Sequence, residues 1–416
     1  MQPKRAFATV ELMSMWLLGG LVAVIEALTF TQALEQSARA PLLEAAIAVE
    51  ATRRDHAERV SSMTHNPIFG VQPGGRALAH GGGGAEVYVS LSQRVNLAGL
   101  SGRRKEALAR ELEHDQAAVQ AVRASVRRAV AEQWLARWVA QEALAVAERE
   151  RDLAADLAAR LGTLLGVGEA TVIEQGVART WVAEAQLSAL ALEDDGLTAG
   201  VRLAQMMGQP ATAPLDVARE LPQIALGDEA RLQELPRDVR DAPAVKSASS
   251  LRAADSSRLA ELAAARGATM ALGVLGWREG GGDLAAVGTL EVDLPVFERG
   301  ERERASAAAE LERARGSERD SVLIAQAERS LWLHELEHSH RVLDVVQDQL
   351  LPAARSVADG QYKRLQAREA SAQDWVLARR AVLKGELDAI RARAAHALAR
   401  FLVAEATRPA RQLSGP

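Results

Sequence analysis

His334-Glu335-Leu336-Glu337-His338 is the stretch whose residue types and spacing match a known catalytic pattern. On a helix, His334 and His338 would share a face and grip zinc, with Glu335 as general base for peptide hydrolysis. Three features count against that chemistry. No downstream histidine or glutamate stands in a recognisable third-ligand motif, and His340, two residues on, points elsewhere around the helix. Leu336, Leu343, Val346 and Leu350 form the stripe of a long helix rather than the wall of a cleft. The chain also repeats itself, and under the repeat His334 and His338 coincide with Trp134 and Trp138. Helix packing or a solvated flank is the favoured reading, adventitious metal binding comes next, and a zinc metallopeptidase last.

Other reactive patterns fare no better. Gly81–Gly84 and Gly280–Gly282 have the glycine density of a phosphate cradle. Neither carries the Lys-Ser/Thr of a P-loop and neither opens directly onto a helix, so both read as loops at the outer end of strand pairs. The absence of cysteine removes disulfides, thiolate metal sites, cysteine nucleophiles and a lipidated N-terminal cysteine together. The formal net charge is −5 and no basic block exceeds three residues, which leaves nucleic-acid binding without support. The expectation is a chain that is not an enzyme, with no catalytic residue, no cofactor and no resident metal.

Function must then lie in the architecture. Aromatic residues are only 3% of the 416, while alanine, leucine, glutamate and arginine dominate, as in long helices that bury one stripe. Lys4 and Arg5 precede an apolar run from Leu12 to Ile25, then Glu26-Ala27, so residues 1–27 read as a signal peptide, too short to span a membrane comfortably. A buried N-terminal helix is the alternative. Pro41 to Met63 is an amphipathic helix stopped by Asn66-Pro67. A short strand over Ile68–Val71, a glycine-rich loop over Gln72–Gly84 and a strand over Glu86–Asn96 follow. From Arg103 to about Leu161 runs a helix whose Leu112, Val119, Val122, Val126 and Val130 form a coiled-coil-like stripe. At ~1.5 Å per residue it spans roughly 85–90 Å. Gly162, Gly166 and Gly168 mark a turn, and Thr171–Met207 returns as a helix.

A proline-rich connector, 209–242, carries Pro210, Pro214, Pro222 and Pro236. After it the programme recurs: a helix from Pro243, strands over Ala268–Trp277 and Val287–Phe297 around a glycine-rich loop Arg278–Asp283, a helix from Glu301 to about Leu350, and a return from Ala372 to about Val403. Pro41 pairs with Pro243, Val71 with Val274, Gly99 with Gly300, and Glu169-Ala-Thr171 with Glu369-Ala-Ser371, at offsets of 200 to 203. Such constancy marks a duplicated unit, 28–208 and 243–404, with 405–416 as a tail.

Four strands joined by glycine-rich loops cannot bury their apolar faces alone, nor can helices far longer than a globular core is wide. Several copies closing into a barrel solve both problems, because an open strand edge cannot lie in lipid. Strands of about ten residues with alternate apolar positions suit an outer-membrane barrel, and Phe69, Tyr88, Trp277 and Phe297 lie where interfacial girdles sit. The fold class expected is mainly α with a small membrane β part.

The paired layout resembles TolC-family outer-membrane efflux proteins. So do HNPIFGV, VSLSQRVNLAG followed by GR, TLEVDLPVFERG, and the turn segments GVGEATVIEQ and QYKRLQAREASAQDW, over about Leu28 to Val403. The junction is also similar to that of the heavy-metal branch. The resemblance implies a homotrimer in the outer membrane, its helices forming a periplasmic α-barrel with the connector and tail as an equatorial collar. It further implies an exit duct for small molecules or metal ions, which docks onto an inner-membrane pump through a periplasmic adaptor. It places a gating acid six residues beyond the turn glycine. Glu174 lies six beyond Gly168, and Asp374 six beyond Arg368, where the family glycine is missing. Leu164, Leu165, Val167, Gly168, Glu169, Arg368 and Glu369 are the corresponding docking tips. A periplasmic adaptor or coiled-coil scaffold is the alternative, but an adaptor carries one hairpin and this chain has two.

Overall fold

The computed structural model describes residues 27–407, apart from 60–62, 64, 78, 81–82, 211–214, 227–231, 233–234, 236, 279–281, 294–296 and 298–299. Apart from Ala27, the stretch read as a signal peptide lies outside these residues, as do 408–416, Gly81, Gly82, Gly280 and Gly281. No described helix is long and apolar enough to cross a membrane.

In chain order the elements are α1 (Phe30–Gln36), α2 (Pro41–Arg59), β1 (Ile68–Ala77), β2 (Gly83–Asn96), α3 (Leu100–Gly166), α4 (Val172–Met206), α5 (Pro243–Ala265), β3 (Thr269–Arg278), β4 (Leu284–Asp293), α6 (Glu301–Asp344), α7 (Leu351–Gln366) and α8 (Ala372–Thr407). The sequence α2–β1–β2–α3–α4 thus recurs as α5–β3–β4–α6–α7–α8. The strands form one antiparallel sheet in the order β1-β2-β3-β4. At both strand-to-helix corners a glycine takes the left-handed conformation, Gly99 at φ 73° and Gly300 at φ 69°. A side chain there would be strained. Asn96 secures the first corner, accepting from the Ala98 backbone N–H at 2.8 Å and donating to the Ala264 carbonyl at 2.9 Å.

The 67 residues of α3 make a rod of about 100 Å. It packs against α2, α4, α5 and α8, while α6 packs against α5 and α8. The stripe expected on α3 is largely inward: Val119, Val126 and Val130 are buried, and Leu112 and Val122 half-buried. The main core sits part-way along the rods. There Phe30 meets the edges of Trp134 (centroids 5.3 Å apart) and Phe401 (5.4 Å). The buried indole N–H groups are satisfied by main chain, Trp134 donating to the Leu28 carbonyl and Trp138 to that of Arg219, each at 2.9 Å. Leu28 also bridges in parallel to Val217. The proline-rich connector is strapped around this level: Arg137 donates to the Leu215 carbonyl at 2.8 Å, and Arg400 to that of Ile224.

Several boundaries differ from the sequence reading: β4 begins at Leu284 rather than Val287, and α3 runs through Gly162 to Gly166. Two further differences have a clear physical reason. The glycine-rich stretch Gln72–Gly84 is mostly strand, so β1 runs to Ala77 and β2 starts at Gly83. Two glycines of β1, Gly70 and Gly74, make room for neighbours across the ladder. A Cβ on Gly70 would lie 2.7 Å from Ser90 Oγ, and one on Gly74 3.0 Å from the Tyr88 ring. Pro73 lies within β1, the outer strand of this chain's sheet, opposite Val87. The second correction concerns the helix end expected at about Leu350, two residues before Pro352. The helix instead passes through a π-helical turn, Val345–Leu350, and continues as α7 to Gln366. Proline lacks the N–H for the i−4 bond and crowds that carbonyl, and the wider turn absorbs the mismatch.

Candidate functional site

In an antiparallel ladder, directly opposed residues share a face. Phe69 opposes Leu91, which opposes Val274; Val71 opposes Val89; and Leu272 opposes Leu290. These residues, with Val87, Val95, Val287's neighbour Gly288 and Val292, make one almost wholly apolar face, and its large side chains are exposed. The other face carries Gln72, Tyr88, Ser90, Ser92, Arg94, Thr269, Trp277, Thr289, Glu291 and Asp293. Among the described residues no helix packs broadly across either face. Even so, side chains of the central strands on the polar face are consistently less exposed, down to 7% for Glu86. The sheet therefore curves, with the polar face concave and the apolar face convex. Its outer edges, β1 and β4, have no strand partner among the described residues.

This geometry revises the aromatic girdle. Phe69 is on the apolar face, but Tyr88 and Trp277 oppose each other on the concave one, stacked with centroids 6.3 Å apart. Phe297 is 97% exposed beyond β4.

At the far end of the rods both hairpins turn alike. Gly168 takes φ 77° and Arg368, where glycine was missing, takes φ 62°. The second turn thus keeps the shape of the first, at a cost of roughly 1–2 kcal/mol for the arginine. Arg368 reaches Glu169 on the other tip at 2.5 Å. Val167 is exposed, whereas Leu164 and Leu165 are half-buried, Leu164 against the tip core of Leu157, Leu161, Trp181, Trp375 and Val376. Gly168, Glu169 and Glu369 are exposed.

Glu174 and Asp374 occupy identical positions as third residues of their helices. Glu174 accepts from the Thr171 N–H at 2.8 Å and hydroxyl at 2.9 Å, and its own N–H donates to Thr171 Oγ1 at 3.1 Å. Asp374 and Ser371 reproduce these bonds at 3.1, 2.8 and 3.2 Å. Each is a capping box. The hydroxyl of Ser371, and then its backbone N–H, hold the Asp374 carboxyl below the ordinary 3.8.

His334 and His338 lie exposed on α6 with rings stacked 5.9 Å apart, and His340 lies instead 5.5 Å from His396. Among the described residues no group of three or more histidines, aspartates or glutamates is placed to hold a metal. Their repeat counterparts Trp134 and Trp138 are buried, so the equivalence of position is not one of environment.

Sequence reasoning missed the ties between the hairpins. Glu150 on α3 is 2% exposed and meets Arg379 of α8 at 2.6 Å. Burial pushes its carboxyl up, against the pull of Arg379. Arg380 pairs with Glu184 of α4, and the Trp181 and Trp375 rings meet edge-on at 5.4 Å. Also missed were Val172 and Ile173, which are exposed at the start of α4 as Val167 is at the turn before it. The apolar letters were visible; which way they faced was not.

The same fold is found in solved structures. The outer-membrane channel OprN matches at 17% identity over 91% of each chain, with a TM-score of 0.75. VceC from Vibrio cholerae matches at 14% identity over 91% of this chain and 95% of its own, with a TM-score of 0.67. The fold is that of the outer-membrane channels. The Neisseria gonorrhoeae MtrE channel, solved in an open state, shares it at 17% identity and a TM-score of 0.64, over 91% of this chain and 88% of its own. No family model and no curated protein matches the sequence.

Proposed function

We propose that this chain is the outer-membrane exit duct of a tripartite efflux assembly, working as a homotrimer. The observation that carries the reading is the curved sheet, apolar on its convex face, polar on its concave face and, among the described residues, unpaired at both edges. Lipid is the solvent that such a convex face fits, and closure with other copies is what such edges require. Three copies supply twelve strands, four from each. Two would supply eight, and a barrel of that size is filled by its own side chains, so three is the smaller number that leaves a bore. The rods then continue the bore into the periplasm.

The turns 164–169 and 366–371 face away from the sheet. Leu164, Leu165, Val167, Gly168, Glu169, Arg368 and Glu369, joined by Val172 and Ile173, form the patch onto which a periplasmic adaptor would dock, linking the duct to an inner-membrane pump. Glu174 and Asp374, one residue in the same position on each hairpin, would give two rings of carboxylate near the mouth, where repulsion and cation binding set opening. Their capping bonds fix them where each helix begins.

The test is purification from membranes in detergent, followed by reconstitution in planar bilayers. A trimer-sized species with stepwise conductance supports the duct. A water-soluble monomer without conductance supports a scaffold and overturns it. Neutralising Glu174 and Asp374 together would relieve block by divalent cations; unchanged block ends the gate assignment.

A further inference from the structure

We propose that Tyr88, Trp277 and Glu86 form a stacking site for planar aromatic cations on the inner wall of the duct. The proposal rests on the duct reading and names a chemical class of molecule that the wall would hold. Around this rung the concave face carries smaller side chains, among them Ser90, Leu275 and Ala285, while Arg94, Glu291 and Asp293 lie toward the helical end. Tyr88 and Trp277 put two large rings on one rung, between Gln72 of β1 and Ala285 of β4. Their planes are inclined by only 26°, with centroids 6.3 Å apart. The near-parallel rings stack rather than meet edge to face, so a planar cation would extend the stack.

The surroundings are arranged for the rings. Gly74 lies beside Tyr88, and a Cβ there would come within 3.0 Å of the ring. Small Ala285 is the β4 neighbour of Trp277. The Tyr88 hydroxyl donates to Glu86 Oε2 at 2.6 Å, which fixes the ring and seats a carboxyl group beside it. Glu86 is nearly buried at the concave side of β2. Ring faces attract cations through their quadrupole, and a neighbouring carboxyl adds to that attraction. A planar aromatic cation gains from stacking as well, whereas an aliphatic cation of similar size gains only the electrostatic part. The rung lies near the hairpin turns, far from the helices, so bound molecules would pause there just before release. In a closed trimer the three ring pairs share one level.

The experiment uses the full chain reconstituted in planar bilayers, with ethidium as the planar aromatic probe and tetrabutylammonium as the aliphatic one. Ethidium is expected to interrupt the current with residence times about tenfold longer than tetrabutylammonium. Trp277→Leu should shorten ethidium residence about tenfold while leaving potassium chloride conductance and tetrabutylammonium block unchanged. Trp277→Phe should retain most of it, and Glu86→Gln should weaken it. If Trp277→Leu does not assemble, Tyr88→Leu is read by the same criteria. A conducting channel in which ethidium dwells no longer than tetrabutylammonium, or in which loss of either ring changes nothing, overturns the stacking site and leaves the duct standing. Absence of conductance from the unaltered chain overturns the duct and the site with it.

Discussion

Val274 lies midway along β3 on the convex face, between Leu91 and Gly288, and is 58% exposed. If that face meets hydrocarbon, Val274→Arg places a guanidinium near the bilayer midplane. The cost for arginine on the lipid face of a barrel is about 2–4 kcal/mol at that depth. Per copy this corresponds to roughly 30- to 700-fold in the folding equilibrium, and a trimer carries the change three times. Ser90→Arg is the matched control. Ser90 sits on the concave face, where Gly70 opposite leaves space beside its side chain. In a water-filled bore that arginine is solvated, and the change should stay within about 1 kcal/mol. The assay is folding of urea-denatured chain into lipid vesicles, read by protease protection across a urea series. Val274→Arg should lose protected trimer at markedly lower urea than Ser90→Arg or the unaltered chain. Equal loss by the two arginines, or greater loss with Ser90→Arg, would refute the assignment of faces.

Trp134→Ala should destabilise the rods by about 3–5 kcal/mol, since the residue is fully buried against Phe30; the midpoint of denaturation in urea checks it. At the second tip, an acid whose carboxyl is held below its ordinary value stabilises the fold above its unfolded pKa and loses that contribution as pH falls through the folded one. Hydrogen exchange should therefore show protection of the first turn of α8 persisting above pH 3.8 and fading below, and Ser371→Ala should remove this pH dependence. Arg368→Gly relieves the left-handed arginine but breaks an exposed pair with Glu169 worth ~0–1 kcal/mol. The tip fold should survive or tighten in Arg368→Gly and loosen slightly in Glu169→Gln, as read by the same exchange rates.

Much of this architecture was legible because its signals are local and occur twice. Pro41 and Pro243 open corresponding helices, and Gly99 and Gly300 take the same left-handed corner. Alternation along Val87–Leu91 and Leu290–Val292 gave strands, but not which face of one strand joined which face of the next; that needed the register. Hence Tyr88 and Trp277 read as girdle residues until their rung placed them on the polar side. Glycine and Pro73 looked like loop because each usually ends a strand, and here side chains across the ladder fill the space beside Gly70 and Gly74. The helix through Pro352 was hidden for a similar reason, since a π-helical turn leaves no letter of its own. Of the tip residues, the positions were readable from the repeat. The capping bonds of Glu174 and Asp374 follow the local spacing Thr171-x-x-Glu174 and Ser371-x-x-Asp374, a helix-start signal that could have been read; the Glu150–Arg379 tie joins segments over 200 residues apart, which spacing does not encode.

The central claim is that β1 of one copy pairs with β4 of the next. Because the chain has no cysteine, paired substitutions report this without background. Val71→Cys can be combined in turn with Ala286→Cys, Gly288→Cys or Leu290→Cys, which share its convex face, and with Val287→Cys or Thr289→Cys, which do not. After mild oxidation in native membranes, at least one same-face pair should give covalent dimers and closed trimers, with the opposite-face pairs staying monomeric. Monomer alone from every pair would contradict the claim.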